Sequence, residues 1–287
     1  MSANLFEKCE PISAVLAPYV QQMIISELED SCDNLEYLCI GSVGKKKDED
    51  FNGDIDIAIK CKDIEELKRI IYHTFGHLNI VISETLYIVS IEYPYIYDNE
   101  EKYVQCDFMV MWYTDYTAFR YFCPNYRNDE SKYKVGAKIM LTSIILNHCI
   151  KEKNKDLLYD EIAKFDFRPT ALYRFIYSNT RKAYKEEFVT ANVNKIVEMC
   201  FYDNDRKHFN SVESLWGAIH SDNFKYPNEV KQIEMVWFVC CFRKGWTSIV
   251  PEDFKIEYWT NDQIWYNINQ QKEINKINEF LQQGKEI

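Results

Sequence analysis

Nowhere does the sequence hold the roughly 18 consecutive apolar residues that a membrane-spanning helix needs, so no helical membrane span is expected. Positive charge is also short: 34 Lys and Arg face 45 Asp and Glu, for a net charge of −11. A broad DNA-binding surface needs clustered cations and is excluded on that ground, although a locally basic cleft is not. Glycine is scarce, with 8 in 287 residues. The ten cysteines include no Cys-x-x-Cys, and several stand inside apolar runs. They read as small buried hydrophobes of a reducing compartment, not as a disulfide framework. Gly-x-Ser-x-Gly is missing as well, which removes one common nucleophile motif. Around Glu7 no basic region precedes an apolar core, so the expectation is a cytoplasmic protein without a secretory signal.

What remains is an ordinary globular composition, 47% hydrophobic and 28% charged, at a length suited to two compact domains. Apolar positions at Val15, Leu16, Val20, Met23, Ile24 and Leu28 predict a helix from Pro11 to about Ser31. "LEYLCI" is a short β-prone run ending at Gly41, and "DIDIAI" alternates strictly, the mark of a strand. Asp63 is placed to cap a helix reaching about Thr74, with Glu65 and Glu66 in its first turn. "LNIVISETLYIVSIEY" and "KYVQCDFMVMW" follow as β-like stretches. From roughly Ser131 the period changes. "KVGAKIMLTSIILNHCIK", "PTALYRFIYSNTRKAYKEEF" and a terminal segment carrying Ile264, Ile268, Ile274, Ile277 and Leu281 are all read as helical.

One stretch, "GSVGKKKDEDFNGDIDIAIK" from Gly41 to Lys60, supports three chemistries. As a phosphate-binding P-loop it fails, because Gly41 and Gly44 enclose too few residues and Lys46 stands where a hydroxyl is needed. As a calcium loop it has acids at Asp48, Asp50 and Asp56, with Asn52 and Gly53 between them. Ile59, however, occupies the position of the bidentate carboxylate. The third reading starts from the strand. Successive side chains alternate, so Ile55, Ile57 and Ile59 turn to a core while Asp54 and Asp56 share the other face. "VQCDFMVMW" is a second alternating strand with one acid, Asp107, opposite Cys106, Phe108 and Val110. A lone acid in that setting is costly unless a partner or a metal meets it. Three carboxylates on neighbouring strands beside a Gly-Ser turn make a two-metal phosphoryl-transfer site, for which Mg²⁺ is suited.

"IGSVGKKKDEDFNGDIDIAI" followed by "CDFMV" resembles the signature of the DNA polymerase beta-type nucleotidyltransferase superfamily. That signature is Gly-Ser, about ten residues, Asp-x-Asp between apolar residues, and a later strand with a third Asp. The resemblance spans roughly residues 12 to 115. It implies an α+β fold: a nucleotidyltransferase-type mixed sheet with flanking helices over 1–130, then a mostly α-helical domain over 131–287 that completes the cleft. It implies that Gly41 and Ser42 hold the triphosphate of an NTP, and that Asp54, Asp56 and Asp107 coordinate Mg²⁺ (or Mn²⁺), with two ions. The implied reaction moves a nucleoside monophosphate to an acceptor hydroxyl and releases pyrophosphate. The acceptor could be an RNA end, a nucleotide, a protein or a small molecule. A nucleotide- or partner-binding protein without turnover is the competing reading.

Further candidates are the lysines beside the presumed triphosphate, Lys45 and Lys46, whose charge is balanced by the neighbouring acids in the alternative of a solvated loop. In the second half Arg174, Tyr177 and Arg181 belong to a segment where tyrosines at 173, 177 and 184 interleave with cations. Rings of that kind stack on bases and cations meet phosphates. The plainer reading of the same segment is a helix that packs its tyrosines on the core and turns a basic face outward.

Overall fold

The computed structural model describes residues 5–128, 131, 133–158, 161–178 and 183–243. Arg181 and the terminal segment from 244 onward lie outside the described residues.

The first half is a five-stranded sheet with two helices on one face. Its strands are β2 (Tyr37–Ile40), β4 (Ile55–Lys60), β5 (Ile80–Ser83), β6 (Ile88–Tyr97) and β7 (Glu100–Met111), ordered β2-β4-β7-β6-β5. The sheet is mixed: β4 and β7 run parallel, and the other neighbours are antiparallel. Alternation decides which residues go inside. Ile55, Ile57 and Ile59 of β4 and Cys106, Phe108 and Val110 of β7 are buried in one apolar cluster. Helix α1 (Ala17–Ser31) covers it with Val20, Ile24 and Leu28, and α2 (Ile64–Phe75) with Leu67, Ile71 and Phe75. Asp63 caps α2 as expected, its Oδ1 accepting from the Glu66 N–H at 2.8 Å.

Helix α1 begins later than Pro11. The preceding residues form β1 (Ile12–Ser13), which pairs antiparallel with β3 (Phe51–Asn52). The same side-chain periodicity would have allowed helix there, but the β1–β3 ribbon claims the backbone and ties the chain start to the loop ahead of β4. Ala14 N–H adds a bond to Asp50 O at 2.9 Å.

In the second half, α3 (Thr114–Arg120), α4 (Val135–His148), α6 (Val193–Cys200), α7 (Val212–Ile219) and α8 (Val230–Arg243) surround another apolar cluster. A short helix, α5 (Ile150–Lys153), follows α4. Tyr116 and Phe119 of α3 pack into this second cluster although they precede residue 131. "PTALYRFIYSNTRKAYKEEF" is not a helix. Leu172–Tyr177 forms β9 and Ala183–Thr190 forms β10, in a three-stranded antiparallel sheet ordered β10-β9-β8 with β8 at Ile162–Phe167. The expected tyrosine stripe therefore does not exist as a helical face. A stretch dense in aromatic and branched residues fits a pleated, half-buried surface better than a helix.

No helix of the described residues is long and apolar enough to cross a membrane. All ten cysteines are free thiols in the structure, and most are buried.

Candidate active site

The face of the five-stranded sheet opposite α1 and α2 carries the acids. Parallel pairing puts Asp56 of β4 directly beside Asp107 of β7, and Asp54 just precedes β4. One carboxylate oxygen from each of Asp54, Asp56 and Asp107 can be chosen so that all three lie within 4.8 Å of one another. Along the strands the same face continues as a small apolar cluster of Ile40, Ala58, Met109 and Met111.

Crowding acids into a partly buried site has an electrostatic cost that shows in their protonation. Burial, then the charges of Asp54 and Asp107, push the Asp56 carboxyl well above its ordinary value. Burial also raises Asp107, while hydrogen bonds from Ser90 and Gln105 act against the rise. Gln105 Nε2 donates to Asp107 Oδ1 at 2.9 Å and its own Oε1 accepts from Leu5 N–H at 3.0 Å, which fixes the amide and through it the carboxylate. Ionised carboxylates are acceptors only, and the three side chains are close enough together to hold a divalent cation. No metal is needed to explain the fold, but the donor set suits one.

Gly41 closes one side. It follows β2 with φ of +75°, and a Cβ there would fall 2.3 Å from Asp56 Oδ2. Both conditions demand glycine: the left-handed backbone and the close approach to a carboxylate. Ser42 comes next, its Oγ donating to Asn52 Oδ1 at 2.9 Å.

A cleft of about 490 Å³ opens over these residues. Gly41, Ser42, Lys46, Asp54 and Asp56 line it from the first half; Cys123, Tyr126 and the start of α4 line it from the second. Lys134, the residue that precedes α4, makes no side-chain capping bond, so the N-terminal end of that helix faces the cleft without a side-chain cap. Such an end attracts anions. Burial and then the Lys134 charge lower the Lys46 pKa, against the pull of Asp50 and Asp54.

Of the residues expected from the sequence, the structure brings Gly41, Ser42, Lys46, Asp54 and Asp56 to one cleft, with Asp107 beside Asp56. Lys45 lies with its ammonium 5.8 Å from the Phe122 ring and does not line the cleft. Neither do Arg174 and Tyr177. Arg174 is held by Glu187 on the neighbouring strand and by Lys155 O at 2.7 Å, beside a separate hollow of about 260 Å³. Tyr177 sits under the Lys164 ammonium, 5.9 Å away. Two contributors went unseen in the sequence. The start of α4 and Arg127 reach the site only through the tertiary fold. Arg127 N–H and Nε donate to Lys45 O and Lys46 O at 3.0 and 2.6 Å, pinning the loop after Ser42.

Compared with known proteins, the chain matches no family model and no curated protein.

Proposed function

We propose that this chain is a metal-dependent nucleotidyltransferase of the DNA polymerase beta type. It would move a nucleoside monophosphate from an NTP to an acceptor hydroxyl and release pyrophosphate. The observation that carries the reading is the contact between the Gly-Ser turn and the acids, with Gly41 set against Asp56 and Asp56 set beside Asp107. In this reading the phosphate-holding turn and the carboxylate triad work as one site.

Asp54, Asp56 and Asp107 would hold Mg²⁺ or Mn²⁺, two ions in this reading. When bound, the metal supplies charge to the phosphates and acidifies the acceptor hydroxyl. The chain's own residues do the rest. Gly41 lets the backbone approach the phosphates, and Lys46 with the start of α4 adds positive potential on the cleft walls. Asp107, with its carboxyl raised by burial, is suited to accept the proton of the attacking hydroxyl. On this reading residues 1–130 are the catalytic domain, and 131–287 the domain that closes the cleft, in a cytoplasmic enzyme. The acceptor is an RNA end, a nucleotide, a protein or a small molecule.

The test is incubation with each labelled NTP and Mg²⁺ or Mn²⁺, with and without total RNA, followed by mass spectrometry of the products. Pyrophosphate release that requires metal and disappears in the Asp54→Asn, Asp56→Asn variant supports the enzyme. Nucleotide binding without metal-dependent turnover across these acceptors would mean a binding protein instead.

A further inference from the structure

Ser42 and Asn52 form a pair whose hydrogen-bond arithmetic does not close. Asn52 is completely buried. Its Oδ1 takes the single hydroxyl proton of Ser42 at 2.9 Å, while its Nδ2, with two protons to give, has no partner. A buried amide N–H without an acceptor is much rarer than an under-used carbonyl oxygen. A half-turn of the amide puts Nδ2 where Oδ1 stands, against Ser42 Oγ. The hydroxyl can accept there as readily as it now donates. One side-chain rotation then gives one amide proton an acceptor, leaves the unpaired place to the carbonyl oxygen, where it costs less, and releases the Ser42 proton toward the cleft.

We propose that Asn52 is the positioning residue that makes Ser42 an outward donor, with Asn52 Nδ2 donating to Ser42 Oγ so that the hydroxyl proton serves a polyphosphate in the cleft. The inference rests on the nucleotidyltransferase reading for what the polyphosphate belongs to. The fold holds Asn52 in place for this. It lies on β3, paired with Ile12 of β1, and that ribbon anchors the backbone that carries the amide behind Ser42. Asn52 therefore acts only through Ser42 and touches no substrate itself.

Two measurements on the full-length chain test this. In the first, side-chain amide resonances of Asn-labelled protein are followed by NMR with Mg²⁺ and inorganic tripolyphosphate. Expected are through-space contacts between the Asn52 amide protons and the Ser42 β-protons, with slowed amide exchange when tripolyphosphate is added. Amide protons directed away from Ser42 in the tripolyphosphate-bound protein, or no tripolyphosphate binding at all, would overturn the proposal. In the second, Asn52→Leu should raise the KM for NTP about tenfold while kcat changes less than about threefold. In a Ser42→Ala background the same change should do nothing further to KM. An undiminished effect in that background would show that Asn52 acts by some other route. The two readings fail separately. Tripolyphosphate contacts without turnover on any NTP sink the enzyme but keep the pair. Turnover with the amide reversed keeps the enzyme and sinks the pair.

Discussion

The five-stranded and the three-stranded sheet of this protein handle charge in opposite ways. On the first, acids crowd together and the upward shift of Asp56 arises from burial and from other acids, with nothing basic offsetting it. On the second, cations and acids cancel strand by strand. Arg168 pairs with Asp166 at 2.8 Å and Glu186 at 3.0 Å, Arg174 with Glu187, and Lys185 with Glu187. Paired charges on a strand face are a structural arrangement. Unpaired acids that share a site resist folding unless something else offsets their repulsion, and the proposed function assigns that part to a bound cation.

The largest break in this contrast is expected from Gly41→Ala. The new Cβ would meet Asp56 Oδ2 at 2.3 Å in a backbone at φ +75°, so both the turn and the carboxylate must move. A strained non-glycine residue of this kind costs about 1–3 kcal/mol. Turnover should fall by at least about a hundredfold, since metal and phosphate positions are lost together. Thermal unfolding and NTP turnover measured on the same sample would separate the two losses. A variant of unchanged activity would mean that Gly41 is not part of the site.

Next in size is the response to pH and metal. The Asp56 carboxyl is raised above its ordinary value of 3.8 in the folded chain, chiefly by burial. The folded state therefore binds more protons than the unfolded one as pH climbs past that value. Its stability falls through the window between the unfolded and folded pKa, then levels off. In chelator, Asp56→Asn should melt higher than the native chain at pH 7, with the gap closing as pH drops towards about 4. Mg²⁺ or Mn²⁺ should raise the melting temperature of the native chain and leave the variant nearly unmoved. Melting curves across pH with and without metal decide it, and a variant less stable than the native chain at pH 7 in chelator would contradict the electrostatic account.

A smaller effect is expected from Arg127→Ala. Its side chain bonds to Lys46 O and, at 3.1 Å, to Asp48, but it is 44% exposed, so water competes for the same groups. One such hydrogen bond contributes about 1 kcal/mol, which predicts a KM for NTP about fivefold higher with kcat little changed. Steady-state kinetics would read this directly.

The contrast between the sheets also explains what the sequence made legible. In the first, strict alternation with one polar face allows one register, and a slip by one residue would bury Asp54 and Asp56 and expose the isoleucines. Strand, face and triad were all readable from that constraint. "LYRFIY" offers no such constraint, because Tyr173 and Tyr177 are four apart. Four is even, so they share a face in a strand as well as in a helix, and the spacing could not choose between them. The start of α4, Arg127 and the Ser42–Asn52 pair were illegible for another reason. Each depends on contacts between distant segments, and no local pattern records them. Asn52 was visible only as a residue of a false calcium loop, where its side chain would have been a ligand. In the structure it is buried behind Ser42.

The smallest expected effect is the most pointed check on the second sheet. Arg174 was a candidate for phosphate binding because it stands in a basic, tyrosine-rich run. Its guanidinium is instead occupied: Nε donates to Glu187 Oε2 at 2.8 Å, and Nη1 donates to Lys155 O at 2.7 Å. Both partners are partly buried, the Arg174 side chain 15% exposed and that of Glu187 25%. Arg174→Ala should therefore cost about 1 kcal/mol of stability, towards the upper end for a pair still in contact with water. NTP turnover should stay within about twofold of the native rate, because the pair lies beside a hollow separate from the acidic cleft. A large rise in KM without loss of stability would place Arg174 on the substrate after all. The second sheet would then carry binding as well as support, and the division of labour between the two sheets would have to be redrawn.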